Sequence, residues 1–90
     1  RESFTIRISP KGQYLTGCQV QALPRSDGFI SFILRIYDMN TMAIRKEISL
    51  NGSFSGFPNV TYTSMVDSIF IALSEWSNDR QIRLLKYTIP

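Results

Sequence analysis

The sequence has no histidine and a single cysteine, Cys18. A Cys-His catalytic pair is therefore impossible within the chain, and a zinc centre fails on ligand count. One cysteine makes no internal disulfide, which points to a reducing, intracellular and cytoplasmic setting. Dense charge of one sign is also missing. Ten basic and seven acidic residues leave a net charge of +3 that is spread along the chain, so nucleic acid is disfavoured as a partner. No apolar run approaches the ~20 residues that a membrane-spanning helix needs, and no signal-peptide pattern is visible. Gly52 and Gly56 fit neither a P-loop nor a dinucleotide pattern. The acids Glu2, Asp27, Asp38, Glu47, Asp67, Glu75 and Asp79 are scattered, several at turns where Asp satisfies backbone amides, so paired-carboxylate chemistry is not favoured. These absences predict a protein that is not an enzyme and uses no cofactor and no metal.

Apolar residues, by contrast, are plentiful. Hydrophobic content is 43%, including six Phe, four Tyr and one Trp, enough for a packed core. Ninety residues is one small domain or a fragment of a longer chain, and a start at Arg1 is expected of a processed or excised segment. So short a domain is expected to be marginally stable unless something covers its edges.

The period of the apolar residues is two rather than 3.6, which predicts an all-β fold. Phe4, Ile6 and Ile8 alternate with Thr5 and Arg7, the pattern of a half-buried strand. Ser9-Pro10-Lys11-Gly12 supplies turn chemistry, and Tyr14 to Leu23 returns. After the loop formers Pro24 to Gly28, the residues Phe29 to Tyr37 are nearly all apolar. The stretch from Phe32 to Thr41 therefore reads as a central strand, buried on both faces, leading into a tight connection. Ala43 to Leu50 alternates less cleanly, as a strand with a short helix as the alternative. Asn51 to Pro58 reads as a loop carrying Phe54 and Phe57, either tucked under it or displayed. Val60 to Ser64, Ile69 to Leu73 and Gln81 to Tyr87 complete the set of strands.

The segment Leu34-Arg35-Ile36-Tyr37-Asp38 is echoed by Ile82-Arg83-Leu84-Leu85-Lys86-Tyr87. Setting Ser9 to Leu15 against Ser64 to Phe70 gives an offset of 55, and setting Leu34 against Ile82 gives 48. The shortfall is assigned to a longer connection between the second and third strands of the first copy. Repeats of roughly 40 to 50 residues with four short strands each suggest propeller blades. The units are residues 1–52, with four strands, and 53–90, with three. A self-contained seven-stranded β-sandwich or small barrel is compatible with the same alternation and turn spacing.

These residues resemble the WD40 family of β-propellers. Ile8-Ser9-Pro10-Lys11-Gly12-Gln13-Tyr14-Leu15 is similar to the family's first hairpin. Leu34-Arg35-Ile36-Tyr37-Asp38 is similar to its third strand, with Tyr37 where Trp is usual. In the second copy Asp79 matches the family's structural aspartate and Leu85 stands in place of Trp. The chain departs from the family in lacking histidine, so its usual hydrogen-bond network is incomplete. The resemblance implies a partial propeller completed by another segment or chain, and a non-catalytic protein-interaction scaffold. It also implies that the loop between the second and third strands and the connection between blades share one rim, gathering Arg25, Phe54, Phe57, Trp76 and Arg80. Aromatic residues and Arg commonly anchor interfaces, so these five are the candidate partner-binding residues. Their alternative is structural, with Phe54 and Phe57 capping the core and Trp76 packing between blades. The expected partner is a protein or further propeller blades. The sequons Asn51-Gly52-Ser53 and Asn59-Val60-Thr61 keep open a secreted or viral surface domain that binds a receptor through its loops.

Overall fold

A computed structural model describes residues 4–22, 25–76 and 81–90. The described residues form seven strands: β1 (Phe4–Ile8), β2 (Tyr14–Ala22), β3 (Phe29–Asp38), β4 (Ile44–Ser53), β5 (Asn59–Tyr62), β6 (Ser68–Ser74) and β7 (Ile82–Thr88). They make two antiparallel sheets in which every strand lies beside its neighbour in sequence, β1-β2-β3-β4 and β5-β6-β7. The protein is all-β, with no helix among the described residues.

The helical alternative for residues 43–50 is not realised. Ile48 and Leu50 pair with Leu34 and Phe32, so alternation along β4 serves the face that Leu34 and Phe32 already bury. β4 also runs further than its loop-like composition suggests. Asn51, Gly52 and Ser53 are ladder residues opposite Ser31, Ile30 and Phe29, and the connection begins only at Phe54.

One core lies between the sheets. Cys18, Phe32, Leu34, Ile36, Ile48 and Leu50 of the four-stranded sheet pack with Val60, Ile69, Ile71 and Leu73 of the three-stranded one. Polar contacts cross the same layer. The hydroxyls of Thr16 and Tyr62 share a hydrogen bond, and the Lys46 ammonium stands 5.7 Å from the Tyr87 ring centroid. β3 departs from its expected burial. Phe32, Leu34 and Ile36 are buried, but Ile33, Arg35 and Tyr37 on the other face are only half-buried, because no further layer of the described residues covers them.

The internal repeat is real in backbone geometry, but its register differs from the one read off the side chains. Ser9 N–H donates to the Tyr14 carbonyl, and Thr63 N–H donates to that of Ser68. Gly12 N–H donates to Ser9 and has φ 75°, while Val66 N–H donates to Thr63 and has φ 57°. The Ser9 hydroxyl accepts from Tyr14 N–H, as the Thr63 hydroxyl does from Ser68 N–H. Each of these equivalences is 54 positions apart. Met39 N–H to the Gln13 carbonyl and Ile89 N–H to that of Asp67 form a matching pair at the end of the third strand, which places β7 50 positions after β3. The offsets are thus 54 and 50, not 55 and 48. Tyr37 corresponds to Tyr87 and Leu34 to Leu84, so Tyr87 rather than Leu85 stands at the position of Tyr37. The difference falls between the second and third strands, where the first copy is longer.

This register exposes an inversion. Thr16 and Cys18 point toward the three-stranded sheet, whereas their counterparts Phe70 and Ala72 point away from the four-stranded one. Conversely, Ile6 and Ile8 on the outer face correspond to Val60 and Tyr62 on the inner face. The two sheets are therefore stacked head to tail, front of one on back of the other, and not face to face about a two-fold axis.

Candidate functional site

Three connections meet at one end of the sandwich. The β2–β3 turn is closed by two backbone bonds, Arg25 N–H to Phe29 and Gly28 N–H to Arg25, each 2.9 Å. Asp27 braces it by accepting from Phe29 N–H at 3.0 Å, and that bond, helped by the Arg25 charge, holds the Asp27 carboxyl below its ordinary pKa. The segment after β4 is tied in by Phe54 N–H to the Gly28 carbonyl and by an isolated bridge between Phe54 and Glu75. Trp76 N–H then donates to Ser53 at 2.9 Å.

These ties open a cleft of about 420 Å³ whose wall is largely apolar, with Ile30, Phe32 and Phe54 beneath and Arg25, Phe57 and Trp76 around it. That volume lies in the range of sites for small ligands or a few side chains. Phe32 stacks obliquely on Phe57 and Phe54, with centroids 5.1 and 6.3 Å away. Phe54 is buried and forms floor rather than rim. Phe57 is half-buried, so the two loop aromatics are tucked under the connection rather than displayed. Trp76 is different, since it remains 58% exposed. Its ring lies across Gly28, where the β-carbon of any other residue would come within 2.7 Å of it, and Gly28 has φ 82°. Only glycine allows both the left-handed backbone and that approach.

Arg25 bridges to Asp27 at 3.4 Å and lies 4.5 Å from the Phe29 ring centroid, with its charge at the surface. Below the floor, Arg83 pairs with Glu75 and stands 5.8 Å from the Phe54 ring centroid. Of the five candidate residues, Arg25, Phe54, Phe57 and Trp76 are brought together; Arg80 lies outside the described residues. Sequence reasoning missed Gly28 and Ile30. Gly28 was visible as the last loop former before β3, but nothing in the sequence tied it to Trp76.

Elsewhere the chemistry is quiet. Cys18 is buried, and burial pushes its thiol up to about 11, away from the thiolate needed for attack or metal binding. Burial also raises the Tyr62 hydroxyl, although its bond with Thr16 opposes the shift. No group of three or more metal-ligating side chains occurs among the described residues. Asp38 accepts from Asn40 N–H at 2.8 Å and Thr41 N–H at 3.3 Å, and these bonds keep its carboxyl below the ordinary range. It is thus occupied in holding the β3–β4 turn. No helix of the described residues is long and apolar enough to cross a membrane.

Against known proteins, no family model matches this chain, and no curated protein or solved structure matches it either.

Proposed function

We propose that this chain is a non-catalytic protein-interaction scaffold, a pair of WD40-like blades completed by another segment or chain, working in an intracellular complex. The observation that carries the interaction reading is Trp76, exposed at the mouth of an apolar cleft with its ring lying across Gly28. A large aromatic beside an arginine is the side-chain combination that interface hot spots use, because an aromatic ring offers much apolar area with few rotatable bonds to order. The blade reading draws support from the head-to-tail stacking of the two sheets and from apolar residues on both outer faces. Arg25 and Phe57 flank the cleft, and Phe54 supports it from below.

The test starts by placing a photo-crosslinking amino acid at position 57 in cells. The captured protein is then purified and its affinity for the intact chain measured. Trp76→Ala is expected to weaken that affinity ~30-fold or more, the effect of losing a hot-spot aromatic, with an unchanged unfolding midpoint. Unaltered affinity in a folded Trp76→Ala variant, and in Arg25→Ala, would refute the reading. A second reading, a secreted or viral surface domain that binds a receptor, is favoured by one observation. Asn51 and Asn59 of the two sequons are both exposed. Mass measurement on protein from its native source, before and after glycosidase, decides it: a glycan on either asparagine replaces the intracellular reading.

A further inference from the structure

Both outer faces of the sandwich carry apolar side chains in solvent. On the four-stranded sheet, Ile6 and Ile8 are 53% and 57% exposed. They sit in lateral rows with Gly17, Arg35 and Glu47, and with Leu15, Tyr37 and Ile44. On the three-stranded sheet, Ile82 and Leu84 are 71% and 63% exposed; Leu84 lies beside Ala72 and Ile82 beside Ser74, while Phe70 lies between Thr61 and Lys86. Scattered exposed leucines and isoleucines need no explanation, but the unbroken row Ile8-Leu15-Tyr37-Ile44 on one face and the group Phe70, Ala72, Ile82 and Leu84 among polar neighbours on the other call for one in so small a domain.

The repeat says what fits them. By the offsets of 54 and 50, the outer face of the three-stranded sheet is the counterpart of the inner face of the four-stranded sheet. Phe70 stands for Thr16, Ala72 for Cys18, Leu84 for Leu34 and Lys86 for Ile36. The outer face of the four-stranded sheet is likewise the counterpart of the inner face of the other. Ile6 stands for Val60, Ile8 for Tyr62, Leu15 for Ile69, Gly17 for Ile71 and Tyr37 for Tyr87. Within one chain these two kinds of face are already packed together. We propose that the outer face of the three-stranded sheet of one copy packs on the outer face of the four-stranded sheet of a second copy of this chain, repeating the internal junction.

This deepens the blade-like reading above, on which it rests, by naming the completing chain as the protein itself. The interface is heterologous, so copies form a ring where the rotation per step closes and an open filament where it does not. The chemistry at the new junction is compatible with burial. Where Thr16 bonds Tyr62 inside the chain, the corresponding contact brings the Phe70 ring to Ile8, an apolar pair that leaves no hydroxyl unpaired. Arg35 is neutralised by Glu47 at 2.7 Å on its own face. Among the described residues Lys86 is the cation brought in from the opposite side, at the place of the wholly buried Ile36 and with its ammonium 5.6 Å from the Phe70 ring centroid of its own face. It arrives one strand from the position that Lys46 holds over Tyr87, and so meets Tyr37, the counterpart of that ring.

The experiment is sedimentation equilibrium on the wild-type chain and on Ile8→Glu and Leu84→Glu, from ~1 µM to ~1 mM, the span over which contacts of this kind associate. Both positions are exposed, so circular dichroism should show an intact fold. Should either variant unfold, Ile6→Glu or Ile82→Glu takes its place on the same face. The wild type is expected to associate with concentration. Each variant alone should stay monomeric across the range, its self-association constant weakened at least ~100-fold by a carboxylate buried in the junction. Mixed in equal amounts they should form a dimer and stop there, because each supplies the face that the other has lost. A wild type monomeric throughout overturns the proposal, as does a mixture that remains monomeric. A single variant that still dimerises overturns it too, since like faces would then be pairing. None of these outcomes touches the cleft, whose reading stands or falls on the Trp76→Ala affinity.

Discussion

Leu34 and Leu84 occupy the same position in the two copies of the repeat, yet Leu34 is wholly buried and Leu84 is 63% exposed. Truncating each to alanine therefore measures the head-to-tail stacking directly. Leu34 lies between Cys18 and Ile48 in the ladder and is part of the core between the sheets, so its removal leaves a cavity flanked by β-strands that cannot easily collapse. A buried Leu→Ala change costs about 2–5 kcal/mol, and this site belongs in the upper half of that range. A 90-residue domain holds roughly 4.5–13.5 kcal/mol in total at ~0.05–0.15 kcal/mol per residue. Leu34→Ala is thus expected to remove about a quarter of the stability or more. Leu84→Ala should stay within about 0.5 kcal/mol, as surface changes do. The assay is urea unfolding followed by far-ultraviolet circular dichroism, at ~1 µM so that association does not contribute. With a slope of ~1–3 kcal/mol per molar urea, Leu34→Ala should lower the midpoint by at least ~1 M at constant slope. Equal losses at the two positions, or a larger one at Leu84, would refute the stacking and the register behind it.

Gly28→Ala should cost more than Gly12→Ala. Both glycines have positive φ, about 1–2 kcal/mol of strain for alanine, but only at Gly28 does the new methyl strike the Trp76 ring. The single tryptophan reports the difference, since a fluorescence shift is expected for Gly28→Ala and none for Gly12→Ala. Cys18 should react with a thiol reagent only on unfolding. Because its folded pKa is about 11 against an unfolded 9.0, its contribution to stability is complete below pH 9 and is lost as pH rises through 11. The stability advantage of wild type over Cys18→Ala should therefore shrink across that window, and a constant difference would show that the thiol is not desolvated. Asp38 runs the other way. Its folded pKa lies below the ordinary 3.8, so its contribution is present above that value and is lost as pH falls through the folded one. Asp38→Asn should leave a shallower acid limb in a stability titration, and an unaltered limb would remove Asp38 from the turn's electrostatics.

Strand existence was legible at Phe4–Ile8 and Tyr14–Ala22, but the half-buried reading of the first failed: Ile6 and Ile8 are 53% and 57% exposed on the outer face, because parity along a strand says which side chains share a face and not which face meets the core. The near-continuous apolar run of β3 was also legible as a strand. Its burial on both faces was not, since a sequence shows that two faces are apolar but not what lies against the second. The repeat register was misread by one residue at the hairpin and two at the third strand. Side-chain resemblance guided that reading, whereas the true equivalence lives in backbone bonds such as Gly12 to Ser9 and Val66 to Thr63. No composition rule pairs a glycine with a valine, because a β-branched residue at positive φ is rare. At the site, the gathering of Arg25, Phe54, Phe57 and Trp76 was expected from a resemblance. The burial of Phe54 and the seat of Trp76 on Gly28 depend on a 2.7 Å approach that sequence does not encode locally.

The sequential order of both sheets also has a consequence during synthesis. All of β1 to β4 is made before any of β5 to β7, so the four-stranded sheet is complete while Phe32, Leu34 and Ile36 still face water. At ~5–20 residues per second, the 35 residues from Ser53 to Thr88 take roughly 2–7 s to emerge. Hairpins form in microseconds, so a half-made protein presents a finished, sticky surface for on the order of a million times longer than a hairpin takes to form. Ribosome-bound chains of this protein should therefore lean on chaperones until β6 arrives, and codons that slow translation between Phe54 and Ser68 would prolong that exposure.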